Sequence, residues 1–413
     1  MTRFFPSLVL LFALSACGNA AAAQGKLATL SASPLASGPS FRVNSYVDRD
    51  QQRPSVARAP DGSFVVAWDS DGEDGSVDGV YARRYDAQGV ARGDEFRVNV
   101  VTRNRQYAPR VAMDGSGGFV VVWLSNSQDA LGLEIYARRF DASGTPLGGE
   151  FRVDTTGHPA YSQFDVAMAG DGRFVVTWID RFNILSLSAL QQQTLNAQRY
   201  ASDGSPVGSV ITVYQTDLYA VRTPTVTMND SGAFVVAWYI GPGSIWAHRY
   251  SASGQSLGLG GFRVSPVNPQ VVVDRPQISS NAAGEFAIAW ETSGASDLAD
   301  TGVYVRRYAA NGAAATAATP VDSHLLRNPE IAVSGSSFVV TAQSDAIYAQ
   351  CVGGAGPGGA AFRVDDSATP YTPLFASVGS DGSGNLVFAW QNLSADGDRS
   401  RDVYARLLGP CQP

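Results

Sequence analysis

Asp61-Gly-Ser-Phe-Val-Val-Ala-Trp68 governs the whole chain, because it comes back again and again. It returns as Gly118-Phe-Val-Val-Val-Trp123, Asp171-Gly-Arg-Phe-Val-Val-Thr-Trp178 and Ala233-Phe-Val-Val-Ala-Trp238. Further copies are Glu285-Phe-Ala-Ile-Ala-Trp290, Ser337-Phe-Val-Val-Thr-Ala342 and Asn385-Leu-Val-Phe-Ala-Trp390, the sixth having lost its Trp. The anchors at 68, 123, 178, 238, 290, 342 and 390 are 55, 55, 60, 52, 52 and 48 residues apart. A period of this length marks an architecture in which each unit buries itself against its neighbours.

Each unit holds four short β-type runs. Pro54-Ser-Val-Ala57 and Pro276-Gln-Ile-Ser279 exemplify the first, and the Phe-Val-Val-Ala-Trp run is the second. The second is entered through turns such as Asp61-Gly62, Asp171-Gly172 and Asp381-Gly382, a strong hairpin signal because glycine takes positive φ without strain. The third is Val80-Tyr-Ala-Arg-Arg-Tyr85, repeated at Ile135 and Val303, and the fourth is Phe96-Arg-Val-Asn99, repeated at Phe151, Phe262 and Phe362. Four short antiparallel strands per unit describe propeller blades. The ordered region opens with an orphan fourth run, Phe41-Arg-Val-Asn44, and the last unit ends after its third, Val403-Tyr-Ala-Arg406. The expected fold is therefore all-β: a seven-bladed β-propeller of four-stranded antiparallel blades over 41–413, with the N-terminal strand completing the last blade.

The 413 residues are 45% hydrophobic and 16% charged, with a formal charge of -7. That excludes a disordered chain and argues against a nucleic-acid partner held by phosphate neutralisation. Three His and three Cys leave little material for a metal or acid–base centre, and His158, His248 and His324 show no ligand spacing. There is no Gly-x-Ser-x-Gly elbow, glycine-rich phosphate loop or His-Glu-x-x-His.

Arg3 followed by the apolar run Phe4–Ala13 reads as an export signal, too short to span a membrane. Leu14-Ser-Ala-Cys17 resembles a bacterial lipobox, which implies cleavage before Cys17 and lipidation of its sulfur. An ordinary signal peptide cut near Ala21 to Ala23 is the alternative. Residues 1–17 are thus the signal and lipobox, and 18–40, rich in Ala, Ser, Gly and Pro, a flexible stalk. Gly18 after the cysteine points to the outer membrane or cell surface.

Candidate sites fall in the variable loops between second and third strands. Asp69, Asp71, Glu73, Asp74 and Asp78 in the first blade offer hard oxygens for Ca²⁺, against the alternative of a solvated acidic turn. Asp396, Asp398 and Asp402, and Asp297 with Asp300, are weaker versions. The third-blade loop carries Phe182, Ile184, Leu185, Leu187 and Leu190, with Asp180 placed to cap a short helix. Such apolar surface either folds onto the ring or binds a partner. The residues before the Val or Ile of each innermost strand, Ser55, Arg110, Asp165, Thr225, Gln277 and Glu330, with Leu374 in the seventh, are candidates to face the channel, Arg110 and Asp165 as an ion pair. The recurring Arg84, Arg139, Arg199, Arg249 and Arg307 are expected to pair with turn acids such as Asp86 and Asp141. In an oxidising compartment Cys351 and Cys411 form an even pair that can close a disulfide.

The unit running from Phe64-Val-Val-Ala-Trp68 through Val80-Tyr-Ala-Arg-Arg-Tyr85-Asp86 to Glu95-Phe-Arg-Val-Asn99 resembles repeats of bacterial lipoproteins and of large secreted calcium-binding, haemolysin-type surface proteins. The resemblance covers 41–408, implies an envelope or cell-surface location and leaves the activity open. The Gly-Gly-x-Gly-x-Asp nonapeptides that accompany some of those proteins are missing, so calcium binding does not carry over. The functional expectation is a monomeric, lipid-anchored, non-enzymatic binding or scaffold module for an envelope protein or surface polymer. A glycan- or peptide-cleaving enzyme at the channel mouth, or a calcium-stabilised adhesion module, are the alternatives.

Overall fold

Blade 1 shows how the repeat folds. Its strands are β2 (Gln51–Arg58), β3 (Phe64–Asp71), β4 (Asp78–Tyr85) and β5 (Phe96–Arg97), laid side by side in chain order, antiparallel, from the channel outward. The β2–β3 turn is set by Asp61, whose Oδ1 accepts the Ser63 N–H at 2.8 Å, and by Gly62 at φ 84°. β3 is buried from Phe64 to Ser70, since neighbouring blades cover both its faces. That is why this run is continuously apolar where a half-exposed strand would alternate. The repeated Trp68, Trp123, Trp178, Trp238, Trp290 and Trp390 are at most 2% exposed, which makes them inter-blade packing.

The computed structural model describes residues 38–126, 132–156, 160–181, 192–258, 260–266, 271–294, 301–322, 327–366, 373–394 and 400–411. Blades 2 to 6 comprise β6–β9 (106–152), β10–β13 (160–216), β14–β17 (221–263), β18–β21 (271–320) and β22–β25 (327–363). Blade 7 is β26 (Leu374–Ser380), β27 (Leu386–Leu393) and β28 (Arg401–Leu408), completed by β1 (Phe41–Arg42). Phe41 and Arg42 pair with Ala405 and Tyr404, the register in which Phe96 and Arg97 pair with Ala82 and Tyr81. The innermost β2 lies against the innermost strands of both blade 2 and blade 7, so the ring closes. The expected three-plus-one closure is what the structure has.

Most fourth strands are only two residues long, and a side chain extends their ladder. Asn99 Oδ1 accepts the Val80 N–H at 2.8 Å, and Asn44 Oδ1 accepts that of Val403 at 2.8 Å. Asp154, Ser265 and Asp365 do the same for Ile135, Ile245 and Ile347. The residue after Phe-Arg-Val is therefore a backbone substitute that satisfies an otherwise orphaned buried donor.

The Arg-Arg pair of the third strand ties blades together in both directions. Its first member reaches back, with Arg83, Arg138, Arg306 and Arg406 donating to the carbonyls of Val43, Val98, Val264 and Val364 at 2.7–3.2 Å. Its second member reaches forward. Arg84 donates to Ala142 O at 2.7 Å, Arg199 to Ala252 O at 2.8 Å and Arg249 to Ala310 O at 2.6 Å, with Arg139 on Ser202 O. The expected pairing of these arginines with Asp86 and Asp141 is not what forms. Each of those carboxylates accepts N–H groups of its own turn, Asp141 from Ser143 and Thr145 at 2.8 Å, local bonds that order little extra chain. Gly144 has a second duty besides its φ of 80°, for a Cβ there would sit 2.6 Å from Arg84 Nε. In blade 6 the forward position is Cys351, and its bond to Cys411 (Cα–Cα 5.6 Å) provides the link to blade 7. In blade 7 the position is Leu407, which packs on Gly89.

Candidate functional site at the channel mouth

All seven innermost strands carry a register shift at the same place, between Gln52 and Ser55 in blade 1 and between Leu374 and Ser377 in blade 7. At this bulge Arg53, Ala108, Thr223, Arg275, Asn328 and Phe375 have φ between 46° and 54°, left-handed backbone that bulky residues avoid. Side chains of the preceding blade hold several of them: Gln391, Asp69, Gln163 and Glu291 accept the N–H of Arg53, Ala108, Thr223 and Asn328 at 2.6–3.1 Å. Two places beyond the left-handed residue, each strand turns a side chain toward its neighbours around the axis.

Those residues form a polar ring. Six of the seven expected members, Ser55, Arg110, Asp165, Thr225, Gln277 and Glu330, occupy equivalent register positions. The seventh is Ser377, opposite Ala389, and not Leu374: blade 7 has Ala376 where five blades have the Pro that precedes the ring residue, and its own Pro373 stands three residues earlier, so the run beginning Pro-Leu374 is out of step with the other blades. Thr225 Oγ1 lies 3.0 Å from Asp165 and 3.3 Å from Gln277, whose Nε2 donates to Glu330 at 3.3 Å. Ser55, Ser377 and Asp165 accept N–H groups from the next blade's innermost strand, at Val111, Val56 and Val226. Burial pushes the Glu330 carboxyl up to about 8, with Arg110 opposing and Asp165 adding to the rise. Burial raises Asp165 as well, against Arg110. The ring is thus a set of tethers with one carboxyl held protonated at neutral pH.

Above it, the rim mixes cations with apolar side chains. Arg222, Arg275 and Arg327, at the bulges of blades 4, 5 and 6, are exposed. Leu374 and Phe375 of blade 7 are 37% and 50% exposed. Arg275 has Glu291 at 3.5 Å, whereas Arg222 and Arg327 have no carboxylate within ion-pair distance among the described residues. In blade 2 the Tyr107 ring has the guanidiniums of Arg53 and Arg105 at 5.3 and 5.1 Å from its centroid.

The first-blade acids are largely engaged. Arg53 forks onto Asp69 at 2.9 and 2.7 Å, Arg105 bonds Asp78 at 2.5 Å, and Arg49 lies 3.4 Å from Asp71. Burial drives the Glu73 carboxyl up to about 7, opposed by a hydrogen bond from Ser70 and reinforced by Glu95 and Asp74. Asp74 Oδ1 accepts the Ser76 N–H. Among the described residues no three His, Cys, Asp or Glu side chains are grouped to hold a metal. The arginines that take Asp69 and Asp78 are distant in sequence or beyond the loop, so the acidic run alone gave no sign of them.

The helix that Asp180 is expected to cap falls outside the described residues. Asp180 itself is buried in the second strand of blade 3 and accepts Trp178 Nε1 at 2.9 Å and Asn196 Nδ2 at 2.7 Å. Phe182, Ile184, Leu185, Leu187 and Leu190 lie outside the described residues, as do Cys17, His158, His324, Asp297, Asp300, Asp396 and Asp398. Asp402 is fully buried and accepts Asn44 Nδ2 at 2.7 Å, a closure contact. The rim arginines went unnoticed in the sequence; their place one or two residues before Pro224, Pro276 and Pro329 is the signal that could have found them.

No protein-family model and no curated protein sequence matches the chain. Solved structures do. A protein of unknown function from Dyadobacter fermentans superposes with a TM-score of 0.51 at 9% identity, covering 90% of this chain and 98% of that one. The Penicillium chrysogenum α-L-arabinanase complexed with arabinobiose gives 0.52 at 14% identity, covering 73% and 92%. A mutant α-L-arabinofuranosidase from Fusarium graminearum gives 0.52 at 11%, covering 73% and 92%. At these identities the likeness is one of fold, and the chain stands as a β-propeller of seven four-stranded blades.

Proposed function

We propose that the protein is an exported, lipid-anchored binding module of the bacterial envelope that holds an anionic surface polymer across its channel mouth. The observation behind this reading is the rim: Arg222, Arg275 and Arg327 exposed on three successive innermost strands, beside exposed Leu374 and Phe375, in a chain whose formal charge is -7. Guanidiniums bind carboxylates or phosphates along a polymer, and the apolar pair covers the faces of its rings. The bulged strands are cross-tied between blades, which pre-organises the rim and lowers the cost of binding. The test is co-sedimentation of the full chain with an acidic polysaccharide such as polygalacturonate and with a neutral one such as dextran. Binding is expected for the acidic polymer alone, weakening with salt and falling about tenfold or more in Arg222→Ala/Arg327→Ala. Equal binding of both polymers, or an unaffected variant, refutes the reading.

The alternative of a hydrolytic propeller draws on Asp165 and Glu330, two ring carboxyls raised by burial, with Asp165 adding to the rise at Glu330. It predicts bond cleavage that Glu330→Gln abolishes, measurable as reducing ends or new amino termini.

A further inference from the structure

Around the mouth the arginines divide into two groups. On blades 1 and 2 they are engaged: Arg53 forks onto Asp69, and Arg105 bonds Asp78 and faces the Tyr107 ring. On blades 4, 5 and 6, Arg222, Arg275 and Arg327 stand exposed. Glu291, 3.5 Å from Arg275, is the one carboxylate within ion-pair distance of them among the described residues. Asp274, next to Arg275, directs an oxygen onto the Arg275 backbone N–H at 2.8 Å. The free positive charge of the mouth therefore lies on one arc, with one guanidinium per blade.

An aromatic ring stands at each end of that arc. Tyr219, two residues ahead of the innermost strand of blade 4, is 49% exposed, and Phe375, at the bulge of blade 7, is 50% exposed. They are the two aromatics among the exposed large apolar side chains of the described residues, whereas the Phe and Tyr of the repeats stack on one another, as Phe64 does on Tyr85. Neither Tyr219 nor Phe375 packs on another ring or a guanidinium among the described residues. Both sit on fixed backbone: Ala220 O accepts the Gly241 N–H at 2.9 Å, and Phe375 holds the left-handed place of its bulge at φ 51°. Rings held in water on a rigid frame gain free energy when an apolar face covers them. Polyphosphate or an acidic polypeptide offers charge without such a face. A uronic acid carries both on one unit: the C–H face of its ring packs on the aromatic side chain, and its carboxylate takes a guanidinium fork. A polymer of these units has a carboxylate on every ring, to be met by one guanidinium on each of three successive blades.

We infer that the rim selects polysaccharides built of uronic acids, with Tyr219 and Phe375 as stacking platforms at the two ends of the arc and Arg222, Arg275 and Arg327 as the carboxylate contacts between them. The inference rests on the anionic-polymer reading of the mouth and adds which polyanion it prefers. The test is equilibrium titration of the full chain, at one ionic strength, with polygalacturonate, poly-L-glutamate, polyphosphate and oligothymidylate. Polygalacturonate binds about tenfold or more tightly than each of the other three. Tyr219→Ala/Phe375→Ala, with its fold verified by melting, lowers polygalacturonate affinity about tenfold, to the level of poly-L-glutamate. It leaves the salt dependence as steep as in the parent, because no charge is removed, whereas Arg222→Ala/Arg327→Ala makes it shallower. Binding of any of the other three as tight as that of polygalacturonate, or an aromatic variant that binds polygalacturonate like the parent, overturns this inference. In either case a loss of binding in the arginine variant keeps the polyanion reading standing. Binding of none of the four polymers overturns both.

Discussion

Replacing both Cys351 and Cys411 with serine removes the link that stands in for an arginine between blades 6 and 7. The cysteines are 60 residues apart, and closing a span of that length restricts the unfolded chain by about 4 kcal/mol. Unfolding entropy near about 2.1 cal/mol/K per residue, over the roughly 370 residues of the ring, converts that loss into a drop of about 5 °C in melting temperature. The effect has a location as well as a size. Cys411 lies just beyond β28, the strand that β1 completes, so the bond anchors the last blade at the point where the ring is closed by a two-residue strand. Scanning calorimetry of the full chain, with hydrogen exchange over 401–411 and 41–42, reads both. The double variant should melt about 5 °C lower, with protection at the seam lost before that of blades 2 to 5. A melting point within about a degree of the parent, or uniform loss of protection, would refute the assignment of the disulfide as a closure element.

Asn44→Ala removes the acceptor of the Val403 N–H and the donor to Asp402, leaving both buried; a loss of about 1–3 kcal/mol is expected in the urea midpoint. Glu330 has its folded pKa raised to about 8 from 4.5, so the fold holds a proton that the unfolded chain releases, and stability falls as pH rises from about 4.5 to 8. Glu330→Gln should therefore raise the melting temperature at pH 8 and leave it unchanged at pH 4; a gain of equal size at both values contradicts a buried neutral carboxyl. Excess calcium followed by chelator should leave the melting temperature unmoved, because Asp69 and Asp78 are held by Arg53 and Arg105. A calcium-dependent rise lost on Asp71→Ala and Asp74→Ala would restore the first-blade loop as a metal site. Gly144→Ala should cost about 1–2 kcal/mol in left-handed strain, and more through displacement of Arg84, visible in the same denaturation assay.

The amino-acid sequence by itself determined the seven units, their four strands, the three-plus-one closure and the partnership of Cys351 with Cys411. These are legible because a blade is a local object. Its hairpins join neighbours in sequence, its turns announce themselves as Asp-Gly, and a strand covered on both faces must be apolar throughout, as Phe64 to Trp68 are. What crosses from one blade to the next was settled only by tertiary structure. The partner of Arg84 is a carbonyl 58 residues away, and Asp69 of blade 1 accepts the Ala108 N–H of blade 2. Strand pairing also moved the seventh ring position from Leu374 to Ser377, since blade 7 keeps its Pro three residues early, at 373, and only the register shows which residue stands opposite Ala389. A cavity between blades 7 and 1, lined by Arg58, Ala87, Asp381 and Leu407, arises in the same way. Leu407 is unremarkable in a run of apolar residues, and its consequence appears only once blade 7 is laid against blade 1, where a shorter side chain faces a turn built to receive an arginine.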